Sequence, residues 1–318
     1  MDYNIQQVAV EEIDPTDTFY QITTSNDIED ICASIRDIGI LHAPILIREK
    51  ETFIIVSGFR RIKAARKIGL DRIPATILDA SKETLESAKT AIAANSLQRE
   101  LNIIEQARAM RLLSGYFPSP DKMIRTAAEL NLPSSRSIIE KLLAVSRMDG
   151  QITDGMLSDA IALATALEID KLDDTQKIPV AMFLRSLNIS LNIQRELLTT
   201  LTEISLREGT APQQILSEPA VADVLNDPDR DTRQKAATIR RLFRKRRFPE
   251  LSKAEDDFAG QVKKLKLDSP TLKLMPPKAF EGTTYILQIT FNSYPELLER
   301  QSQLNAVIDN PIFPELLK

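Results

Sequence analysis

Between positions 53 and 78 the chain reads FIIVSGFRRIKAARKIGLDRIPATIL: a strand, a glycine, a short helix, a second glycine and another strand. No other stretch constrains the fold as strongly. The run 53–56 is apolar and β-branched, and with 45–48 it flanks a charged turn, the pattern of a hairpin. A helix over 59–68 stops at Gly69, and 72–78 is a short strand whose proline suits a sheet edge. Arg60 and Arg61 stand side by side where strand gives way to helix. Helix N-termini leave N–H groups unpaired and carry partial positive charge, so a phosphate fits there and arginine adds to the attraction. A basic, solvated helix face is the other reading, and the segment alone leaves both open.

Composition narrows the chemistry. A single cysteine, Cys32, excludes an internal disulfide, and with His42 as the one histidine no Cys/His zinc site can be assembled. There is no GxSxG turn, no GxxxxGK[ST] loop and no GxGxxG loop. No apolar stretch approaches the ~20 residues that span a bilayer. The acidic N-terminus lacks a signal-peptide core, so a cytoplasmic protein without a membrane partner is expected.

The remaining elements are mostly helical. A helix over 25–40 carries Ile28, Ile31, Ile35 and Ile38, with Ser25 or Asn26 as its cap and Gly39 as its stop. Another covers 82–98, and Asn102 with Glu105 forms a capping box for the next, which runs to Gly115. In 121–145, one helix ends near Leu130, Asn131-Leu132-Pro133 turns the chain, and a second opens on Ser134, Ser135, Arg136 and Ser137. This is either a helix-turn-helix, with those residues and Lys141 toward DNA, or a plain helical hairpin in a bundle. The net charge of −4 conceals a basic helix at 232–247, with Arg240, Arg241, Arg244, Lys245, Arg246 and Arg247. Its apolar stripe docks on something, while the basic face either contacts phosphates or stays in water. Near the C-terminus, strands at 272–275 and 284–291 precede a helix capped by Ser293. Tyr285, Leu287, Ile289 and Phe291 alternate onto one face. A ββα element this small buries little surface alone, so it packs on the chain or, the preferred reading, pairs with a second copy.

Three segments in order, SIRDIGILHAPILIR (34–48), the strand–helix–strand stretch and NSLQRELNIIEQARAMRLL (95–113), with the helix-turn-helix candidate downstream, resemble the ParB family of partition proteins. The resemblance covers roughly residues 5–165. It implies an α+β multidomain protein. Its matched parts are a ParB/sulfiredoxin-like α/β nucleotide-binding domain (1–115) and an all-α helix-turn-helix domain (116–170), whereas the helical extension (171–248) and the C-terminal ββα element (249–318), read as a dimerisation element, come from the residues alone and do not match the family. It further implies a homodimer that reads double-stranded DNA, closes into a clamp on CTP, associates with the nucleoid and serves partition or transcriptional control, with a partition ATPase as a partner. Carried over residue by residue, Gly58, Arg60 and Arg61 match the triphosphate-gripping box, Gln98 and Arg99 the later motif, and His42 lies near a phosphate-holding position. Asn95 and Ser96 stand where the family has the Glu-Asn pair associated with Mg²⁺, Ser96 also bordering the nucleotide. An amide and a hydroxyl are weaker magnesium ligands than a carboxylate, which argues for binding over hydrolysis. Phe59 replaces the box's glutamate and is expected to be buried. Two alternatives remain: a kinase or nuclease on the same fold, or an adaptor that has lost nucleotide. A sulfiredoxin is excluded, because Phe59 occupies its cysteine position.

Overall fold

Both faces of the strand over 53–56 are covered, which is why it reads as an unbroken apolar run. The computed structural model describes residues 3–79 and 83–316, and the chain divides into two units, Met1–Leu191 and Asn192–Lys318. Unit one holds β1 (Tyr3–Ala9), α1 (Glu29–Ile38), β2 (Ile45–Glu49), β3 (Thr52–Ser57), α2 (Phe59–Lys67) and β4 (Arg72–Leu78). They are followed by α3 (Leu85–Ser96), α4 (Ile103–Ser114), α5 (Pro120–Glu129), α6 (Arg136–Val145), α7 (Gly150–Leu157), α8 (Leu163–Ile169) and α9 (Asp174–Leu187). The helix expected from Lys82 thus begins at Leu85, and Lys82 itself lies outside the described residues.

The sheet runs β1-β4-β2-β3, with β4 antiparallel to β1 and parallel to β2, and β2 antiparallel to β3. On one face α2 contributes Ile62 and Ala65 to a core with Val8, Leu46, Phe53, Ile55 and Ile73. On the other, α3 sets Ala88 and Ala91 against Tyr20, Ile47, Ile54, Val56 and Leu78. Full burial of each isoleucine is worth about 1.5–3 kcal/mol over exposure, so these two layers fix where α2 and α3 begin and end.

Two readings change. β1 was not foreseen, because Ile5, Gln6 and Gln7 are exposed and only Val8, Ala9 and Val10 turn into the core, which breaks any alternation. β1 covers β4, so the strand carrying Pro74 is central and not an edge. The proline is tolerated for a local reason. The Thr76 N–H bonds the Pro44 carbonyl, and by the two-residue repeat Pro74 faces the same side, one step before the β2 ladder begins. The α1 cap also differs: Ile28 takes the cap position, and the Asp27 carboxylate accepts the Glu29 N–H at 3.1 Å.

Unit two holds α10 (Leu191–Glu208), α11 (Pro212–Ser217), α12 (Pro219–Asn226), α13 (Thr232–Arg247), α14 (Pro249–Lys264), β5 (Leu272–Met275), β6 (Ile286–Ile289), α15 (Tyr294–Ile308) and α16 (Ile312–Leu316). The basic helix is α13. It buries Ala236, Ile239 and Phe243, and an Asp231–Gln234 capping box starts it. Its cations face carboxylates, which neither sequence reading foresaw. Arg246 reaches Glu208 and Glu218, each at 2.6 Å, Arg240 reaches Glu196 at 2.6 Å, and Arg244 reaches Glu255 at 2.6 Å. Lys245 pairs with Asp256 at 3.3 Å and Arg247 with Glu203. Of the six cations named from the sequence, Arg241 alone makes no ion pair among the described residues.

Acid sensitivity of this unit is the expected consequence of that network. Hydrogen bonds from Arg246 and Arg207 hold the Glu208 carboxyl at about 2, well below its ordinary 4.5. A depressed carboxylate stabilises the fold above its unfolded value and loses that contribution as pH falls toward 2. Thermal unfolding of the wild type should therefore show a falling midpoint between pH 5 and pH 2, and Glu208→Gln should flatten part of that slope.

The C-terminal sheet pairs Leu272–Met275 with Ile286–Ile289, and Tyr285, Leu287 and Ile289 pack on a core of Leu267, Leu272, Leu274 and Val262. Phe291 departs from the expected face and is exposed, because β6 ends at Ile289. Ser293 caps α15 as the sequence indicates.

Candidate nucleotide site

The junction of β3 and α2 requires glycine twice over. Gly58 has φ +100°, and a Cβ there would lie 2.7 Å from the Pro44 Cβ. Only glycine meets both demands, and it lets α2 start hard against the beginning of β2. No side chain caps α2. Its first-turn N–H groups and dipole are thus presented beside two arginines.

Those arginines are positioned by backbone oxygens. Arg60 donates through Nε and Nη2 to the Asp27 carbonyl, and Arg61 donates through Nη1 to the His42 carbonyl. A guanidinium has five N–H donors, so both retain donors beyond these bonds. Burial lowers the Arg61 pKa from its ordinary value, yet an arginine remains charged at any physiological pH.

Facing α2 is the C-terminal end of α3. Ser57, Gly58, Phe59, Arg60, Arg61, Asn95, Gln98 and Arg99 line one cleft of about 200 Å³ together with Thr23. Thr23 also lines a cavity of about 790 Å³ and another of about 330 Å³, the latter bordered by Phe59 and Arg60. Three of these assignments sharpen. Phe59 is half-buried, touching the cores on both sheet faces, because it sits at the rim where the two layers meet. His42 contributes its carbonyl to Arg61, and the histidine does not line the cleft. Ser96 is 2% exposed, with an Oγ that has no hydrogen-bond partner among the described residues, and it too lies outside the cleft lining.

Sequence reasoning found Glu105 as a cap and missed its larger part. Its carboxylate accepts the Asn102 N–H at 3.2 Å, the Thr24 N–H at 3.0 Å and a forked Arg99 guanidinium at 2.7 and 2.9 Å, while only 1% exposed. Burial pushes this carboxyl's pKa up, but Arg99 and the two backbone donors outweigh it, and the net shift is downward. Arg99 is thereby committed at the rim. Arg108 donates to the Thr23 carbonyl at 2.9 Å, and Thr23 Oγ1 donates to Asn95 Oδ1 at 3.2 Å. The segment 22–24 is thus strapped to α3 and α4 beside the cleft. Nothing in the local sequence, ITTSN, marks it.

A magnesium ion fits poorly at Asn95 and Ser96. The Asn95 amide is engaged on both sides, its Nδ2 donating to the Ala91 carbonyl, and Ser96 is buried. Neither supplies the carboxylate oxygen that magnesium favours.

In the segment 121–145, the turn residue Asn131 has φ +54°, a conformation in which asparagine substitutes for the glycine common at such turns. Its Nδ2 donates to the Ser96 carbonyl at 3.2 Å, which docks the α5–α6 turn on the end of α3. Ser135 caps α6, Ser134 is half-buried, and Ser137 and Lys141 are exposed. Arg136 is held by Glu140 at 2.9 Å and Asp121 at 3.2 Å.

The ParB N-terminal domain family matches residues 2–96. The chain is 27% identical over 241 residues to a nucleoid occlusion protein of Bacillus cereus, covering 74% of this chain and 76% of that protein. It is 29% identical over 152 residues to the probable plasmid-partitioning protein ParB of Xylella fastidiosa, covering 46% of this chain and 36% of that one. Among solved structures it is similar to the C-terminally truncated chromosome-partitioning protein ParB from Caulobacter crescentus complexed with CTP-γ-S. That likeness has 20% identity and a TM-score of 0.28, over 57% of this chain and 98% of that one. The same protein complexed to the centromeric parS site gives 17% identity and a TM-score of 0.35, over 59% and 96%. Residues 2–96 thus match the ParB N-terminal domain family, and over about three quarters of its length the chain is similar to a nucleoid occlusion protein.

Proposed function

We propose that this protein binds specific double-stranded DNA as a homodimer and carries a CTP site at the start of α2, serving partition, nucleoid occlusion or transcriptional control. The observation that carries the reading is the cleft in which Gly58, Arg60, Arg61, Asn95 and Gln98 meet, although they lie up to 40 positions apart in the chain. The triphosphate takes the uncapped helix N-terminus and the spare arginine donors, which are matched to phosphate oxygens. Binding without turnover is the form we favour, because Asn95 in the cleft and the buried Ser96 beside it supply no carboxylate for a metal. The ring of Phe59 and the strapped segment 22–24 form walls of the site.

DNA is read by α5 and α6 as a helix-turn-helix. Their turn rests on the end of α3, so nucleotide in the cleft and DNA on α6 act on one helix. Closing of the dimer into a clamp is the proposed consequence. The C-terminal element supplies the second copy's contact: Ile286, Phe291, Tyr294, Leu298 and Ile308 are exposed there, with Tyr294 at 70%, and Val307 is the one α15 residue fully inside. α13 takes a structural part, five of its cations being spent on carboxylates, with Arg233 and Arg241 left for phosphate. A partition ATPase remains the expected protein partner.

The test is selection of DNA by the full chain from a random duplex pool, with and without CTP. One enriched sequence, with occupancy that changes on adding CTP, supports the reading. Binding indifferent to sequence and to CTP overturns it.

A further inference from the structure

Unit two holds a cavity of about 480 Å³ lined by the end of α14, the approach to β5 and one side of α15. That size is ordinary for a small-molecule site. Its walls carry Lys264, Lys266 and Arg300 and no carboxylate, a local charge of +3. Adding the charged residues one position away in the chain, Lys263 and Lys273 against Asp268, Glu299 and Asp309, still leaves +2. Among the described residues Lys264 and Lys266 make no ion pair, and Arg300 has a single one, a 3.4 Å contact with the exposed Glu299.

A lysine at the end of a helix offsets the helix dipole, and Lys264 has that ordinary explanation. The other two cations lack it. Arg300 lies in the middle of α15 with its side chain 19% exposed, and its Nε is buried without a hydrogen-bond partner among the described residues. Its hydrogen bonds run from Nη1 alone, to Gln303 at 2.9 Å and Glu299 at 3.4 Å. A guanidinium so far withdrawn from water needs more acceptors than these. Lys266 has φ +56° where the chain turns out of α14, a conformation that glycine adopts more easily. The chain keeps a cation there although glycine would suit the backbone better. Ser269 and Thr271 line the same cavity with hydroxyls 3.2 Å apart, each able to turn its proton toward an acceptor.

We propose that this cavity binds a small phosphate-bearing anion, a free phosphorylated metabolite and not the backbone of a nucleic acid. Three cations and two hydroxyls exceed what one carboxylate uses and match the several oxygens and double charge of a phosphate. A hollow of this size encloses a small ligand, whereas a duplex presents a convex backbone. The site is separate from the cleft at α2, and the exposed apolar residues given above to a second copy do not line it.

The probe is inorganic pyrophosphate, titrated calorimetrically at constant ionic strength into the full chain carrying Arg60→Ala with Arg61→Ala, which takes the α2 cleft out of the readout. Saturable binding at one site is expected. Lys266→Gly in that background should weaken it about 10-fold, the worth of one charge-assisted hydrogen bond. The same variant, free of anion, should melt no lower than its parent, because glycine now holds the left-handed turn. A purely structural lysine would leave the affinity unchanged. Lys264→Gln should weaken pyrophosphate too, and affinity for a duplex of unrelated sequence should be the same in both variants and the parent. Pyrophosphate that binds the wild type but not the Arg60/Arg61 variant, an affinity unaltered by Lys266→Gly, or a loss of duplex binding in place of pyrophosphate binding would each overturn the proposal, leaving the reading of the α2 cleft untouched.

Discussion

Glu105→Ala is expected to destabilise unit one by about 2–3 kcal/mol, the cost of leaving its backbone donors unsatisfied, with a smaller part from Arg99, whose side chain is 45% exposed. The reason is the set of donors left behind. Arg99, the Thr24 N–H and the Asn102 N–H all converge on this carboxylate, and alanine leaves both backbone N–H groups without this acceptor and Arg99 with only the Glu100 carbonyl. Glu105→Gln keeps the shape and loses the charge, so it should fall between wild type and alanine. Urea denaturation of the full chain at pH 7 measures both. The pH dependence has a definite sign: the carboxyl lies below its ordinary value, so its contribution is complete above that value and fades as the solution is acidified through the folded one. A loss under 1 kcal/mol for Glu105→Ala would mean that this hub does not hold the strap at 22–24.

Gly58→Ala has the second large effect, and it separates stability from binding. A positive φ costs a β-carbon of order 1–3 kcal/mol. The 2.7 Å approach to Pro44 adds a packing penalty of about 1–3 kcal/mol unless the backbone shifts. Any such shift moves the first turn of α2, where Arg60 and Arg61 begin. The variant should therefore lose roughly 2 kcal/mol or more of stability and lose nucleotide binding even where it remains folded. Gly69→Ala is the control: it too has a positive φ, +77°, but nothing stands within 4 Å of its Cβ and it is remote from the cleft. It should lose stability and keep its ligand.

Local chemistry explains which parts were legible in the sequence. The strand, glycine, helix and strand of 53–78 were readable because every position there answers to one demand: burial on β3, a left-handed glycine, an apolar stripe on α2. The Asn102–Glu105 cap and the Ser293 cap follow from side chains that meet their own backbone three residues away. Contacts made across long stretches were hidden. Thr24 to Glu105 spans 81 positions, Arg60 to Asp27 spans 33, and Asn131 to Ser96 spans 35. The charge run on α13 misled for the same reason: its acids Glu196, Glu203 and Glu208 lie on α10, Glu218 at the junction of α11 and α12, and Glu255 and Asp256 on the following helix. β1 was missed because half of it faces water, and Pro74 looked like an edge residue because the covering strand was not yet known.

Calorimetric titration of the full chain with CTP, ATP, GTP and UTP tests the central claim most directly. Saturable heat with CTP, absent for the other three and abolished in Arg60→Ala with Arg61→Ala, is the expected result. No heat with any nucleotide, or CTP binding that survives the double replacement, would contradict a triphosphate site at the start of α2.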